Sequence, residues 1–124
     1  MRVINTKEDP MGLDQRAGYN KIDVYDWRKH ARLQEFMHEL YCKKHPDDTG
    51  DFNCKKLVLD KEDILELQKA IKGDNLPFCG GGFFWGHQFQ EESMKEYKEY
   101  DLKFCEDALQ WIEEGKEVWY DCWW

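Results

Sequence analysis

The chain has 124 residues, 41% of them hydrophobic and 35% charged, which is the composition of one soluble globular domain and not of a disordered segment. Its formal charge of −8 disfavours a general affinity for DNA or RNA, because that affinity depends on Lys and Arg neutralising phosphates. No apolar run approaches the ~20 residues of a membrane span. Five dispersed cysteines without a CxxC pair favour reduced thiols over a disulfide framework.

Residues 1–22 show no hydrophobic periodicity and contain Pro10 and Gly18. This pattern predicts an irregular N-terminal arm, with one short strand near Val3–Ile4, followed by a single globular domain over residues 23–124. The N-terminal sequence also lacks the apolar core of a signal peptide, so we expect a cytoplasmic protein.

The first predicted helix runs from Trp27 to about Lys44, because its apolar residues recur on one side at the ~100° spacing of a helix. A turn-rich stretch, His45–Asp51, ends this helix. Phe52–Leu59 is then predicted to form a short strand.

Two more helices and a final strand are predicted in the second half. Asp60 is followed three residues later by Asp63, as in a capping box, and the helix that they open is predicted to end at a left-handed Gly73. The longest predicted helix covers about residues 90–114, and the terminal VWYDCWW has the composition of a strand. The sequence therefore predicts an α+β domain with three helices packed on a small antiparallel sheet of three to four strands.

Three consecutive glycines precede an aromatic run in LPFCGGGFFWGH, residues 76–87. A phosphate-binding loop would need GxGxxG spacing or a Lys-Ser/Thr pair, with a helix starting directly behind the glycines. Because this stretch has neither, we interpret the glycines as clearing space for the rings of Phe83, Phe84 and Trp85 at the start of a strand.

Two polar residues are predicted to lie on apolar helix faces. Asp101 falls within the apolar arc of the last helix, and His30 lies on the apolar side of the first. The structural interpretation, which we favour, makes Asp101 an acceptor for a buried Trp, Tyr or backbone amide and makes His30 a core histidine. The alternative is an enzyme in which the two side chains share a pocket.

A metal site is the hypothesis raised by His38 and Cys42, which are four residues apart on one helix edge. Zinc would need two further ligands from a dispersed set: Cys54, Cys79, His87 and Cys122. These residues come singly, so neither a metal nor a cofactor is expected. The sequence contains no recognisable Ser-His-Asp or Cys-His motif, so no catalytic residue is predicted.

A binding surface is the remaining hypothesis, because aromatic residues make up 15% of the chain and three of its six tryptophans lie in the last six positions. Aromatic rings dominate interface energetics, and cations beside them can hold an anion or stack on a ring. The candidate residues for binding a ligand or partner are Trp27, Arg28, Lys29, Phe83, Phe84, Trp85, Asp101 and Trp123.

The order of short motifs along residues 25–124 resembles one protein family. Trp27–Lys29 reads W-R-K, Gly82–Gly86 reads G-F-F-W-G, and Tyr97–Leu102 reads Y-x-x-x-D-L ahead of an aromatic C-terminus. This order resembles a group of small uncharacterised proteins of tailed bacteriophages and prophages, often labelled phosphoglycerate kinase. That label does not suit this chain, because such a kinase needs two large domains and a nucleotide-phosphate site.

The resemblance implies a small accessory protein in the cytoplasm of an infected bacterium. Family members carry Asn and His shortly after W-R-K, whereas this chain has Ala31 and Gln34, so a site built on those residues would be altered here. We expect a non-enzymatic protein-interaction module whose partner is a host or viral protein, with action against a host defence as one role that fits. The alternative is an aromatic pocket for a small nucleotide-like ligand; neither nucleic acid nor a membrane is expected as partner.

Overall fold

The computed structural model describes residues 12–48, 50–80 and 89–124, which form an α+β fold with helices packed on one face of an antiparallel sheet. In chain order the elements are β1 (Asp14–Tyr19), β2 (Ile22–Arg28), α1 (Ala31–Lys44), β3 (Leu57–Leu59), α2 (Lys61–Lys72), α3 (Gln90–Glu96), α4 (Lys98–Glu113) and β4 (Val118–Trp123). The predicted α+β class and the antiparallel sheet are confirmed. The described residues contain four helices, not the three that were predicted.

The four strands are arranged in the order β2-β1-β4-β3, and every neighbouring pair is antiparallel. The prediction of an irregular arm up to residue 22 is wrong from residue 14 onward, because β1 forms a hairpin with β2. Gly18 permits this close pairing, since a Cβ there would lie 1.9 Å from the carbonyl oxygen of Ile22. Asn20 forms the turn at a φ of 51°, a conformation that Asn tolerates.

The start of the first helix also differs from the prediction. Trp27 belongs to β2, and α1 begins four residues later at Ala31. Lys29 has a φ of 58°, which interrupts regular structure between the two elements. Tyr25 and Trp27 are buried, whereas Val24 and Asp26 are exposed. This alternation is the two-residue period of a strand, and it prevails here over the helical spacing on which the prediction was based.

The second helix begins and ends at the predicted residues, but the conformation of its C-terminal cap differs from the prediction. Asp60 and Asp63 form a reciprocal capping box: the Asp63 amide donates to Asp60 at 3.0 Å, and the Asp60 amide donates to Asp63 at 2.9 Å. Gly73 follows the helix with a φ of −88°, so the predicted left-handed cap is wrong at this residue; the positive φ of 54° belongs to Asp74.

The remaining elements differ from the prediction mainly in their lengths. The strand expected over Phe52–Leu59 is limited to β3, because Cys54 has a φ of 63° and donates its amide to Cys122 beside the sheet. The long helix predicted over residues 90–114 is divided into α3 and α4 at Tyr97, which is the C-cap of α3 and the N-cap of α4. The C-terminal strand is confirmed as β4.

The core lies between the helices and the inner face of the sheet. Its largest fully buried side chains include Trp27, Phe52, Phe104 and Tyr120, which come from two strands, a loop and α4. Trp27 contacts Phe104 edge to face, with ring centroids 5.5 Å apart. Aromatic rings from distant parts of the chain therefore build this core.

No helix in the described ranges is long and apolar enough to span a membrane.

Candidate functional site

The first candidate is a buried cluster around Asp101. Its carboxylate accepts a hydrogen bond from Trp27 Nε1 at 2.7 Å through Oδ1, and Oδ2 lies 2.7 Å from His30 Nε2. All three residues are at most 1% exposed. The acceptor role toward a buried Trp is the one that the structural interpretation predicted. The hydrogen bond from Trp27 and the contact with His30 compensate the cost of burying this side chain, which an unpaired acid would incur in full.

His30 is fixed by contacts with β1 and with the start of α4. Its amide donates to Gln15 Oε1, and its carbonyl accepts from Gln15 Nε2, both at 3.0 Å. Its ring stacks on Tyr97 with a centroid distance of 5.0 Å. Among the described residues, His30 Nδ1 is the one buried side-chain nitrogen or oxygen without a hydrogen-bond partner. The ring is therefore oriented by Asp101 through one nitrogen only.

The thiol of Cys105, four residues after Asp101 on α4, is poorly suited to act as a nucleophile beside this pair. Burial, followed by the charge of Asp101, raises the pKa of Cys105 to about 12. The attacking species of a cysteine is the thiolate, so a thiol with this pKa remains protonated and inert near neutral pH. Trp27, His30 and Asp101 thus form a buried polar contact in which both carboxylate oxygens of Asp101 have partners, while His30 Nδ1 has none.

A second set of buried polar groups, the buried polar chain, continues from Gln15 across the core. Gln15 Nε2 donates to the Tyr120 hydroxyl at 3.0 Å, and that hydroxyl donates to Gln34 Oε1 at 2.5 Å. Gln34 Nε2 donates to Cys122 Sγ at 3.3 Å, and the thiol is 3.6 Å from the carbonyl of Phe52. Burial raises the pKa of Tyr120 well above its ordinary value, so its hydroxyl remains a donor. Each member both donates and accepts, which suits a rigid interior.

No three His, Cys, Asp or Glu side chains in the described ranges converge as a metal site would require.

The second candidate is the outer face of the sheet, on which Val24, Val58 and Trp123 are 39–45% exposed while Trp119 is 4% exposed; we call it the open face. Arg16 lies at its centre, with its guanidinium carbon 5.8 Å from the ring centroid of Trp119 and 5.3 Å from that of Trp123. Lys56 lies on the far side of Trp119, at 5.9 Å. Cations and indole rings therefore alternate along this face.

Carboxylates hold Arg16 in place between the rings. Its Nε and one terminal nitrogen donate to the two oxygens of Asp121 at 2.8 and 3.2 Å, and its other terminal nitrogen donates to Asp23 at 3.0 Å. The hydrogen bond to Asp121 is the main reason that the pKa of Arg16 is raised further. This bidentate pairing is the strong form of an Arg–carboxylate contact.

A groove of about 300 Å³ opens on this face beside Arg16, between Trp123 and Val24. Val24 is 45% exposed and Trp123 is 39% exposed, although both are large apolar residues. Val24 is the extra residue at a register shift between β1 and β2, where Ala17 pairs with Tyr25 and Gly18 pairs with Asp23. The bulge therefore adds an apolar wall to a face that already carries an exposed indole.

The two edges of the sheet are less accessible than the open face. On β2, the amides of Asp26 and Arg28 donate to the hydroxyls of Tyr100 and Tyr97 at 3.0 and 3.2 Å. On β3, the carbonyl of Val58 accepts from Lys44 Nζ at 2.8 Å. Because these groups are already bonded, the described edges are poor templates for an added strand.

The predicted binding residues that the structure describes do not form one site. Trp27 and Asp101 meet in the core, whereas Trp123 lies across the sheet on the open face. Arg28 contacts Asp14 at 3.3 Å, and Lys29 lies in the connection before α1. The aromatic run Phe83, Phe84 and Trp85, which was predicted to enter a strand, falls outside the described residues.

Sequence reasoning missed the centre of the open face. Arg16, Asp23, Val24 and Asp121 were not proposed, because β1 was not recognised as a strand. A usable signal was present in β4, where Trp119, Asp121 and Trp123 alternate and must share one face of any strand.

Comparison of the chain with protein-family models, with curated proteins and with solved structures finds no match. The resemblance to small phage proteins therefore stays a prediction.

Proposed function

We propose that this protein is a non-enzymatic binding protein that docks another protein on the open face. The observation that carries this proposal is the groove between Val24 and Trp123, where two large apolar side chains lie exposed around a fixed arginine. Exposed aromatic groups with a polar rim are typical of protein interfaces, in which Trp, Tyr and Arg supply most of the binding energy.

The buried groups between the helices and the inner face of the sheet support a structural role for that side of the protein. Asp101 and His30 are inaccessible to solvent and are bonded to each other, and burial raises the pKa of both Cys105 and Cys122 to about 12. Groups of this kind rigidify a core and do not meet a substrate. The open face can then present its side chains in a fixed arrangement, which lowers the entropic cost of binding.

The setting of this function follows from the motif resemblance alone. It favours a host or viral protein as partner, in the cytoplasm of an infected bacterium, and action against a host defence is one role that fits. The strongly negative charge is consistent with a protein partner in preference to nucleic acid.

The test is capture of a partner from a phage-infected bacterial lysate by the immobilised protein and three variants. Val24→Asp and Trp123→Ala alter the open face, while Leu65→Asp makes the same apolar-to-acidic change at an exposed position of α2. We expect one protein to be retained by the unaltered chain and by Leu65→Asp and to be lost with the two open-face variants. Equal retention by all four proteins, or no specific partner, would contradict the proposal.

The alternative, a pocket for a nucleotide-like ligand, has less support from the site. Trp27 is fully buried and bonded to Asp101, so its ring is not available for stacking. The groove beside Trp123 is bordered by the carboxylates of Asp23 and Asp26, which repel a phosphate. A thermal-shift screen against nucleotides separates the two functions: we expect no stabilisation, and a shift that Trp123→Ala abolishes would favour the ligand.

A further inference from the structure

We infer that the groove on the open face recognises a positively charged side chain, Arg or Lys, of the partner protein. This inference rests on the proposed function, and it specifies the chemistry of the partner.

The positive charge inside the groove is already compensated. Arg16 donates three hydrogen bonds to two carboxylates, those of Asp121 and Asp23, and its guanidinium lies close to the rings of Trp119 and Trp123. Three of its five N–H donors are directed at these carboxylates, whose two negative charges outweigh its single positive charge, so Arg16 is poorly placed to hold an anionic group of a partner. Its role is to hold the two indoles and the two aspartates in position.

The charge that remains around the groove is negative. Its lining carries two carboxylates, Asp23 and Asp26, and one guanidinium, Arg16, and Asp121 adjoins it through its bond to Arg16. Asp23 is the most accessible of the carboxylates bound to Arg16, with a side chain that is 55% exposed. A carboxylate has about four lone-pair positions, so one hydrogen bond from Arg16 leaves Asp23 with capacity to accept another.

The apolar walls suit the remainder of a basic side chain. Val24 and Trp123 lie on β2 and β4, which are separated by β1, so the groove is about two strand spacings, or ~10 Å, across. Lys and Arg carry an apolar stem that packs on such walls while the charged head reaches a carboxylate. The exposed indole of Trp123 adds a ring face that attracts a cation.

The charge of the whole chain acts in the same direction. A net charge of −8 steers a basic partner toward the protein and repels a second copy of the same chain. A basic segment of another protein is therefore the occupant that satisfies both the groove and the overall field.

The experiment is an NMR titration that follows the indole N–H signals. The probe is N-acetyl-arginine methylamide, and the matched control probe is N-acetyl-citrulline methylamide, which has the same shape without the charge. We expect the arginine probe to shift the Trp123 signal, assigned with Trp123→Phe, at concentrations up to about 50 mM, the range suited to a single side chain. The Trp27 signal, from an indole buried against Asp101, serves as the internal reference.

Two variants with the same change in charge complete the experiment. Asp23→Asn is expected to weaken binding of the arginine probe about fivefold through loss of one exposed ion pair, while Glu113→Gln, on the exposed end of α4, leaves it unchanged. Equal shifts with the two probes, no shift at all, or equal effects of the two variants would overturn the inference. If the titration fails but partner capture still depends on Trp123, the inference about a basic side chain is wrong and the proposed function still stands.

Discussion

Two neighbouring residues of β1 lie on opposite faces of the sheet and differ in their surroundings. Gln15 points into the core and bonds Tyr120 of β4. The next residue, Arg16, lies on the open face and bonds Asp121, which directly follows Tyr120. Inside, the described buried side-chain polar atoms are hydrogen-bonded, except His30 Nδ1, and are shielded from water. Outside, ion pairs support apolar side chains that remain exposed. The difference indicates that the inner face maintains the fold and that the outer face is available for binding.

Thiol reactivity gives the largest expected contrast between buried and exposed parts of the molecule. Cys42 and Cys54 are exposed, whereas burial raises the pKa of Cys105 and Cys122 to about 12. In the native protein at pH 8 we expect alkylation of the buried pair to be more than about a hundredfold slower, because the thiolate is the reactive form. Mass spectrometry after timed alkylation measures this ratio; similar rates at all four thiols would show that the inner face is open to solvent.

Removing the carboxylate of Asp101 is the most destabilising substitution that we predict. Asp101→Ala leaves the buried Trp27 N–H and the ring of His30 without their partner, so the free energy of unfolding should fall by about 3–5 kcal/mol. Urea denaturation measures this loss. Asp101→Asn retains one acceptor oxygen and should lose less; a loss below about 1 kcal/mol for the alanine variant would contradict the role assigned to the cluster.

The prediction of the fold from sequence succeeded where the signal was local. The capping box at Asp60 and the aromatic strand at the C-terminus depend on residues within a few positions of each other. The β1 strand could not be found in this way, because buried Gln15 is satisfied by Tyr120, which is 105 positions away. Propensity describes short stretches of chain, and pairing between distant strands overrides it.

The candidate site was predictable only in part, for the same reason. Asp101 was correctly interpreted as the acceptor for a buried ring N–H, since a lone acid on an apolar helix face needs such a donor. Trp123 was proposed as a binding residue, but its surroundings come from β1 and β2. The groove depends on a bulge at Val24 that no local pattern predicts.

Loss of the central hydroxyl of the buried polar chain should have an intermediate effect. Tyr120→Phe removes one acceptor for Gln15 and one donor to Gln34, so we expect the free energy of unfolding to fall by about 1–3 kcal/mol. Tyr19→Phe is the matched control, because that ring packs on Trp111 at the periphery of the core. Equal stabilities of the two variants in urea denaturation would mean that the chain of hydrogen bonds contributes nothing.

The ion pairs of the open face should contribute less than the buried groups. Arg16→Met keeps much of the side-chain volume and removes the bonds to Asp121 and Asp23, which are partly exposed. We expect a loss of about 1 kcal/mol, because solvent screens such pairs. The loss should shrink in high salt, as measured by denaturation at two ionic strengths; a loss as large as that of Asp101→Ala would contradict the contrast between the faces.

The most direct test of the account is the Trp123→Ala variant, measured for both stability and partner capture. Trp123 is partly exposed on the open face, so we predict a free energy of unfolding within about 1 kcal/mol of the unaltered protein, together with loss of the partner from the infected-cell lysate. A variant that is strongly destabilised, or one that retains the partner at full strength, would contradict the claim that this face serves binding and not folding.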